Sequence, residues 1–218
     1  MQNDTSPERP LTVGDRAARA ADRRLERQRV SAADEVDRIL GVTLALIEKS
    51  APTMPPVSEI TAAAGISNQT LYRTFGSKDE LILAVLERGV IRVAEAMRLR
   101  MDEFEDPRDQ ILAWIRVVLR QVSAPAAAET SRSVLGYLHQ AGAVGGANQV
   151  ELLRPLTALL AEPLTALGSD PARDGDCVSD LVLGAMRRHL WDSTAPSAAE
   201  VDAVGRFVLR GLGANVER

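Results

Sequence analysis

The sequence predicts an all-α protein, and three observations support this fold class. The chain is rich in Ala, Leu, Val and Arg, and aromatic residues make up only 3% of it, which favours helix over sheet. Apolar residues recur at spacings of three and four, the period of an amphipathic helix. Glycine and proline separate these stretches and indicate where helices end. At 218 residues the chain can hold one large domain or two small ones.

The bulk properties exclude several classes of protein. The single cysteine, Cys177, excludes an intramolecular disulfide framework and fits a reducing compartment. The N-terminal segment MQNDTSPERP is polar, so we expect no signal peptide. No apolar run approaches the length that spans a membrane. We therefore expect a cytoplasmic protein without a membrane partner.

The first 30 residues are predicted to form a flexible basic N-terminal arm. Residues 16–30 hold six arginines and can become helical on contact with phosphates. An arm that follows a nucleic acid and a solvated tail without a target both fit this composition. The net charge of the whole chain is −4, yet residues 1–30 carry 7 basic and 5 acidic side chains. Because binding depends on the local field, this balance neither supports nor excludes nucleic acid.

A first long helix is predicted to begin at residues 31–34, where Ser31 and Asp34 form a capping pattern. A single apolar stripe follows at helical spacing. It consists of Val36, Ile39, Leu40, Thr43, Leu44 and Ile47. Lys49 lies in the last turn, where a cation favours the helix dipole. Pro52, Pro55 and Pro56 end the helix.

Residues 58–81 predict two short helices joined by a tight turn. The first is expected over residues 58–64. Gly65 then occupies a position that needs left-handed backbone, which glycine adopts at least cost. Ser67 follows as an N-cap, whose hydroxyl accepts from the amides of the next turn.

The second of these helices has two different sides. Leu71 and Phe75, four residues apart, form its predicted buried side. The other side carries donors and acceptors suited to a polyanion: Asn68, Gln69, Thr70, Tyr72, Arg73 and Thr74. Gly76 ends the helix, and Ser77 with Lys78 begins the next one. This arrangement predicts a helix-turn-helix, whose second helix enters the major groove of DNA.

The run AGISNQTLYRTFGSKDEL at residues 64–81 resembles the TetR (tetracycline-repressor) family of bacterial regulators. The resemblance covers about residues 34–88, and the helical remainder has a compatible size and a similar tail, RFVLRGLGA. It implies a three-helix helix-turn-helix DNA-binding domain followed by a C-terminal helical domain for ligand binding and dimerisation. The predicted domains are therefore the arm at 1–30, the DNA-binding domain at 31–88 and the helical domain at 89–218.

The resemblance also implies roles for individual residues. It implies contacts to bases by Asn68, Gln69 and Thr70. It implies contacts to phosphates by Tyr72, Thr74 and Lys78, and to either bases or phosphates by Arg73. Ser58 and Ser67 are the remaining residues expected to contact DNA. Asn and Gln can bond an adenine edge in bidentate fashion, and Arg a guanine edge. A half-buried core ring is the alternative for Tyr72, and a solvated surface lysine for Lys78. Where the family places a Thr or Ser cap, this chain has Pro56, so that cap's phosphate contact is not expected.

Helices account for the rest of the chain. A long one is predicted from about Lys78 to Met101. Five more are predicted at about 108–123, 126–141, 149–167, 176–191 and 198–212, with a loop at 142–147. Pro163 is expected to kink the helix that contains it.

The resemblance implies a small-molecule cavity in the C-terminal domain. The residues of this domain are compatible with such a cavity but do not by themselves predict it. The candidate lining consists of Met97, Met101, Phe104, Trp114, Tyr137 and His139. Met side chains form adaptable apolar walls, and the last three add polar tips to apolar helices. Plain core packing is the alternative for each of them. The effector is therefore expected to be largely apolar.

The last two helices are predicted to form a homodimer interface, because one short recognition helix contacts few bases. Their apolar residues are Val178, Leu181, Val182, Ala185, Val201, Val204, Phe207, Val208 and Leu212. Gly184 would allow close approach. Packing within one chain is the competing explanation.

No pattern supports catalysis or a metal site. Cys177 and the serines have no partnered histidine in a known nucleophile motif. His139 and His189 lie in separate predicted helices without metal-ligand spacing. We therefore expect no enzyme and no cofactor.

The sequence thus predicts a transcriptional regulator that binds a palindromic operator as a dimer. Repression, and release by a ligand, are implied by the resemblance. Two alternatives remain: a dimeric helical interaction protein that keeps the helix-turn-helix as scaffold, and an enzyme in the C-terminal helices.

Overall fold

A computed structural model describes residues 13–143 and 147–213, and all regular structure in these ranges is helical, which confirms the predicted fold class. The helices of the first half are α1 Val13–Ser50, α2 Val57–Ala64, α3 Asn68–Phe75, α4 Lys78–Met101, α5 Pro107–Arg120 and α6 Pro125–Gln140. Those of the second half are α7 Ala147–Thr157, α8 Ala161–Ala166, α9 Pro171–Asp192 and α10 Ala198–Gly211, with a 3₁₀ helix at Ala158–Leu160. Residues 1–12 of the predicted arm and 144–146 of the predicted loop lie outside the described residues.

Helix α1 corrects one prediction. It begins at Val13, so the predicted start at Ser31 is wrong, and the described part of the arm, residues 13–30, is helical. The Ala, Arg, Leu and Glu residues of 16–30 have high helix propensity. Because the helix continues through Ser31, the backbone amides on both sides of Ser31 make helical hydrogen bonds. A helix that began at Ser31 would leave the residues before it without these bonds.

The chain divides into two compact units, one ending at Ile39 and the other beginning at Leu40. In the first unit, the described side chains of Arg24, Arg27 and Arg29 are exposed to solvent. Leu25 and Val30 on the same helix are also more than half exposed. The first unit therefore presents arginines along a regular helix.

The second unit has its main core around α4, α5 and α9. Helix α4 packs against α5, α6 and α7. Trp114 of α5 is fully buried, and its indole Nε1–H donates to the backbone carbonyl of Leu156 at 2.9 Å. This bond satisfies the one polar group of the largest fully buried side chain and ties α5 to α7.

The predicted helix at 149–167 is interrupted. Helix α7 ends at Thr157, a 3₁₀ turn follows, and α8 begins at Ala161. Pro163 has no N–H to donate to the carbonyl of Leu159, and its ring clashes with that carbonyl in a regular helix. The interruption therefore falls on the turn that precedes Pro163.

Helix α9 begins at Pro171, earlier than predicted. The carboxylate of Asp170 accepts from the amides of Ala172 and Arg173 at 3.0 and 3.2 Å, and proline is suited to the first helical position.

A buried histidine joins the last two helices. His189 on α9 lies 3.0 Å from the carboxylate of Glu200 on α10. The hydrogen bond from His189 is the largest cause that holds the pKa of Glu200 below its usual range. The charged form of Glu200 therefore supports the α9–α10 pairing.

The apolar residues of α9 and α10 divide between the inside and the surface. The following point into the core of their own chain: Val178, Val182, Ala185 and Val208. Leu181 and Phe207 remain exposed, and 65% of Phe207 is accessible to solvent. Packing within one chain therefore uses part of the predicted dimer face, and these two residues stay available to a partner.

Among the described residues, no individual helix has both the length and the apolar character needed to cross a membrane. Helices α5 and α6 satisfy that test only together, as a pair bent by 79°.

Candidate nucleic-acid interface

Gly65 shapes the turn between α2 and α3. It adopts φ 63° and ψ 34°, the left-handed conformation predicted from the sequence. The amide of Ile66 returns to the carbonyl of Thr61 at 3.0 Å, and the amide of Gly65 to that of Ala62 at 3.2 Å. These bonds satisfy the last carbonyls of α2, and they turn the chain sharply into the next helix.

Ser67 caps α3 as predicted. Its backbone is extended, and its hydroxyl accepts the amide of Thr70 at 3.0 Å. The hydroxyls of Ser67 and Thr70 are also 3.0 Å apart. At the start of α2 the cap position is held by Pro56, and no side chain there bonds to the helix. The two helices of the motif therefore begin differently.

Helix α3 separates an apolar side from a polar side. Leu71 and Phe75 are buried, with 0% and 8% of their surfaces exposed, as the spacing predicts. Thr70 is half-buried, while these side chains on α3 are exposed: Asn68, Gln69, Tyr72, Arg73 and Thr74. Tyr72 is 47% exposed, which argues against its being a core ring. Donors and acceptors are thus presented together on one surface, with Ser58 of α2 also exposed.

Some of these polar groups already have partners. The hydroxyl of Thr61 on α2 donates to the side-chain oxygen of Asn68 at 3.0 Å, and the hydroxyl of Thr74 donates to the carbonyl of Thr70 at 2.9 Å. Thr61 was not predicted as part of the site, because only the crossing of α2 and α3 brings it to Asn68. This contact holds the amide of Asn68 in one orientation and leaves its NH₂ group to donate outward.

Helix α4 begins directly after α3. Gly76 adopts φ 73°, a backbone conformation that residues with a side chain rarely adopt, so the turn favours glycine. Ser77 caps the helix by accepting the amide of Glu80 at 3.0 Å. Lys78 and Asp79 follow as the first residues of α4, directly after the exposed polar side of α3, which we call the recognition surface.

Tyr137 of α6 contacts this first turn of α4. Its hydroxyl donates to Asp79 Oδ1 at 2.6 Å, and the Nζ atom of Lys78 lies 5.2 Å from the centre of its ring. Burial, followed by the hydrogen bond and the charge of Asp79, raises the pKa of Tyr137 to about 12. Local sequence patterns do not predict this contact, because 58 residues separate Tyr137 from Asp79.

A cavity of about 230 Å³ lies among the C-terminal helices. Its lining includes four residues of α4, which are Leu86, Gly89, Val90 and Val93. The other lining residues are Val118, Gln121, Val122, Ser131, Leu135, Leu152, Leu153, Leu156, Leu183, Met186 and Leu190. A second cavity of about 380 Å³ shares six of these side chains and adds His139, Arg187 and Trp191. The lining is apolar except for a few polar side chains, as in small-molecule sites.

The six side chains predicted for a ligand pocket are not brought together. His139 lines the second cavity, Phe104 lines a separate cleft with Arg100 and Asp202, and Tyr137 lines a cleft with Met54. The other three belong to the closed core: Met97, Met101 and Trp114. The leucines and valines that do line the cavities come from five segments of the chain, so helical spacing alone could not identify them.

The fold and the exposed surface of α3 define a helix-turn-helix protein of the kind that binds DNA. Residues 39–85 match the model of a family described as bacterial regulatory proteins, tetR family. An uncharacterized HTH-type transcriptional regulator of Mycobacterium tuberculosis is 32% identical over 138 residues. That alignment covers 62% of this chain and 63% of the relative, so the chain spans less than two thirds of the relative's length.

Two solved structures share the fold over most of the chain. RolR in complex with resorcinol has a TM-score of 0.63 at 18% identity, covering 85% of this chain and 90% of RolR. FadR from Bacillus subtilis in complex with stearoyl-CoA has a TM-score of 0.56 at 16% identity, covering 83% of this chain and 98% of FadR. These two structures show the shared fold, and the match at residues 39–85 supports the predicted resemblance to the TetR family.

Proposed function

We propose that this protein is a DNA-binding transcriptional regulator that contacts operator DNA through α3. The observation that carries the proposal is the division of α3 into a buried side, Leu71 and Phe75, and an exposed side of donors and acceptors. An eight-residue helix with this division fits the major groove, where base edges present distinct patterns of hydrogen-bonding groups. The matched family supports the same function.

Base contacts are assigned to the N-terminal part of α3. Gln69 has an exposed amide that can bond an adenine edge through both its oxygen and its nitrogen. Asn68 presents its NH₂ group, since its oxygen already accepts from Thr61. Thr70 is half-buried and shares its hydroxyl with Ser67, so it contributes at the margin of the contact.

Phosphate contacts are assigned to the flanks of the same surface. Tyr72 and Arg73 are exposed donors, and Lys78 supplies a positive charge at the start of α4. Thr74 must release the carbonyl of Thr70 before its hydroxyl can donate to a phosphate. Ser58 lies exposed on the preceding helix. The hydroxyl of Ser67 accepts the amide of Thr70 through its oxygen, and its O–H group can donate to a phosphate.

The arginines of α1 supply a further contact to the DNA backbone. Arg24 and Arg29 are exposed on a regular helix, which replaces the predicted flexible arm by a preformed one. An ordered helix loses less conformational entropy on binding than a disordered segment. We therefore assign these arginines to phosphates of the bound DNA.

We also propose that two copies of the chain pair through α9 and α10. A dimer presents two recognition helices, which a palindromic operator with half-sites about one helical turn apart requires. Leu181 and Phe207 remain exposed on these helices after the chain has packed its own core, and a Cβ at Gly184 would meet none of the described atoms within 4 Å. Exposed Leu and Phe next to a glycine offer an apolar surface with room for close approach.

The cavities support a role for a small, largely apolar effector. The lining of the first one includes four residues of α4, the helix that begins at the recognition surface. An effector that favours a different position of α4 weakens DNA binding, and DNA then weakens effector binding by the same factor. We propose repression relieved by such an effector, in the cytoplasm and without catalysis. The relatives with resorcinol and stearoyl-CoA support ligand control.

The acidic composition favours one competing function. With a net charge of −4, the chain can serve as a dimeric interaction protein that keeps the helix-turn-helix as scaffold. Titration of duplex DNA at increasing salt separates the two functions. A steep loss of affinity with salt supports the regulator, and absence of binding at low salt supports the scaffold.

Gln69→Ala is expected to reduce discrimination at one base pair of each half-site by about 1–3 kcal/mol. Binding to unrelated sequences should change little, because Gln69 is assigned to bases. The site is first obtained by selecting bound fragments from random duplex DNA, and affinities for its single-base variants are then compared. An equal loss for all sequences would contradict the assignment.

Lys78→Ala is expected to weaken binding to all sequences and to reduce the slope of log K against log salt by about one per subunit. The reason is that one phosphate contact, with its released counterion, is lost. Arg154→Ala is the control, since it removes one positive charge from an exposed position on α7. The Lys78 role is refuted if both variants change the slope equally.

Phe207→Glu is expected to convert the dimer into monomers, because a carboxylate would be buried against the partner's apolar surface. Sedimentation equilibrium measures the change in mass. Val150→Glu is the control, because Val150 is a 72% exposed apolar residue on α7, outside the proposed interface. A Phe207→Glu protein that stays dimeric would place the interface elsewhere.

Leu135→Trp is expected to obstruct the two cavities whose lining it shares and to weaken binding of the apolar dye Nile red at least about tenfold, the loss of one good apolar contact. Dye fluorescence is titrated against protein, and thermal unfolding checks that the variant is folded. Val150→Trp adds the same ring at an exposed position and should bind the dye as the unaltered protein does. Unchanged affinity in Leu135→Trp would exclude these cavities as the binding site.

A further inference from the structure

A tyrosine from the C-terminal helices holds the first turn of α4. Tyr137 donates its hydroxyl to Asp79 at 2.6 Å and places its ring 5.2 Å from the ammonium group of Lys78. The two partners are neighbours in the sequence, so one aromatic side chain engages an anion and a cation side by side. Because 58 residues separate Tyr137 from Asp79, local sequence does not produce this pairing.

We propose that Tyr137 is a positioning residue for DNA binding, which fixes the ammonium group of Lys78 at the N-terminus of α4, ready for a DNA phosphate. This inference rests on the proposed DNA-binding function. It assigns to Tyr137 a role different from the ligand contact that the sequence suggests. Tyr137 acts through Lys78 and does not itself touch DNA.

The first reason is the conformational freedom of lysine. A lysine side chain has many rotamers, and holding it on a phosphate costs the entropy of the others. A ring at 5.2 Å attracts the ammonium group and selects among these rotamers before DNA arrives. The ammonium group has three N–H donors, so those that do not face the ring remain available to a phosphate.

The second reason is the local charge. The first turn of α4 contains two carboxylates, Asp79 and Glu80, and a single cation, Lys78. Carboxylates repel phosphates, so the turn attracts DNA better when its cation lies in front and Asp79 is engaged within the protein. The Tyr137 hydroxyl engages Asp79 and keeps its proton at neutral pH, as tyrosines ordinarily do. Burial, together with the hydrogen bond and the charge of Asp79, raises its pKa further, to about 12.

Helix α6 carries both Tyr137 and part of the lining of the first cavity. Ser131 and Leu135 of the same helix line the first cavity. A molecule that displaces α6 would therefore also displace the ring that holds Lys78. The contact gives the cavity a physical connection to a phosphate-binding lysine.

The test compares two substitutions of the tyrosine in two backgrounds. Tyr137→Phe removes the hydrogen bond to Asp79 and keeps the ring, whereas Tyr137→Leu removes both. Each is made in the full chain and in a Lys78→Ala chain, and binding to a fluorescent mixed-sequence duplex is measured over a range of salt concentrations. Phosphate contacts act on every sequence, so the test does not require the operator.

Tyr137→Leu is expected to weaken DNA binding about two- to fivefold per subunit, the range expected for a lost cation–π contact. Tyr137→Phe should lose less, since the ring remains. In the Lys78→Ala background, Tyr137→Leu should have no further effect. An equal loss in both backgrounds would show that Tyr137 acts through the fold, and tighter binding by Tyr137→Leu would show that the ring withholds Lys78. Either result overturns the proposal.

A second measurement does not depend on DNA. The chain has two lysines, Lys49 and Lys78, so the signals of carbon-13-labelled lysine can be assigned with the Lys78→Ala chain. The ring of Tyr137 should shift the Lys78 methylene signals, and Tyr137→Leu should remove that shift while leaving Lys49 unchanged. Unshifted Lys78 signals would overturn the positioning role. If the ring shift is present but the unaltered protein binds no DNA at low salt, the proposed DNA-binding function is wrong, and the positioning role is wrong with it. If the protein binds DNA but the Lys78 signals are unshifted, only the positioning role is wrong.

Discussion

The continuity of α4 is the constraint on which the rest of the structure depends. This helix runs for 24 residues from Lys78 to Met101, a length of about 36 Å. Its first turn carries Lys78 beside the recognition surface, and its middle lines a cavity through Leu86, Gly89, Val90 and Val93. Its last turns bury Met97 and Met101 in the main core. One continuous helix therefore carries both Lys78 and part of the cavity lining.

The recognition surface is held by short contacts that each involve a polar group of the motif. Gly65 closes α2, Ser67 opens α3, and the hydroxyl of Thr61 bonds to Asn68 across the turn. These contacts fix the backbone of α3 before any ligand is present. They also restrict which groups can still bind DNA, because an oxygen or hydroxyl already bonded within the protein is less available to a base. Gln69, exposed beside these contacts, is therefore better suited to bases than Thr70 is.

Charge is distributed so that an acidic protein can present basic groups to a polyanion. The chain carries a net charge of −4, yet α1 exposes arginines and the Lys78 ammonium group lies at the recognition surface. Long-range repulsion from DNA is screened beyond about 8–10 Å at physiological salt. Within that distance the local arrangement of cations decides binding, so the proposed ordering of one lysine by Tyr137 can matter.

The local features of the motif were determined by the sequence itself. The left-handed turn at Gly65, the cap at Ser67 and the burial of Leu71 and Phe75 depend on residues a few positions apart, so spacing and residue type predict them. The resemblance to the TetR family rests on the same part of the chain.

Tertiary structure decided the features that join distant residues. The contact of Tyr137 with Lys78 and Asp79 and the cavity lined by leucines from several helices require packing that brings remote segments together. The predicted start of α1 was wrong as well, because a local cap signal at Ser31 competes with the propensity of a whole helix. Caps and turns are encoded over one or two helical turns, whereas packing depends on the free energy of the complete fold.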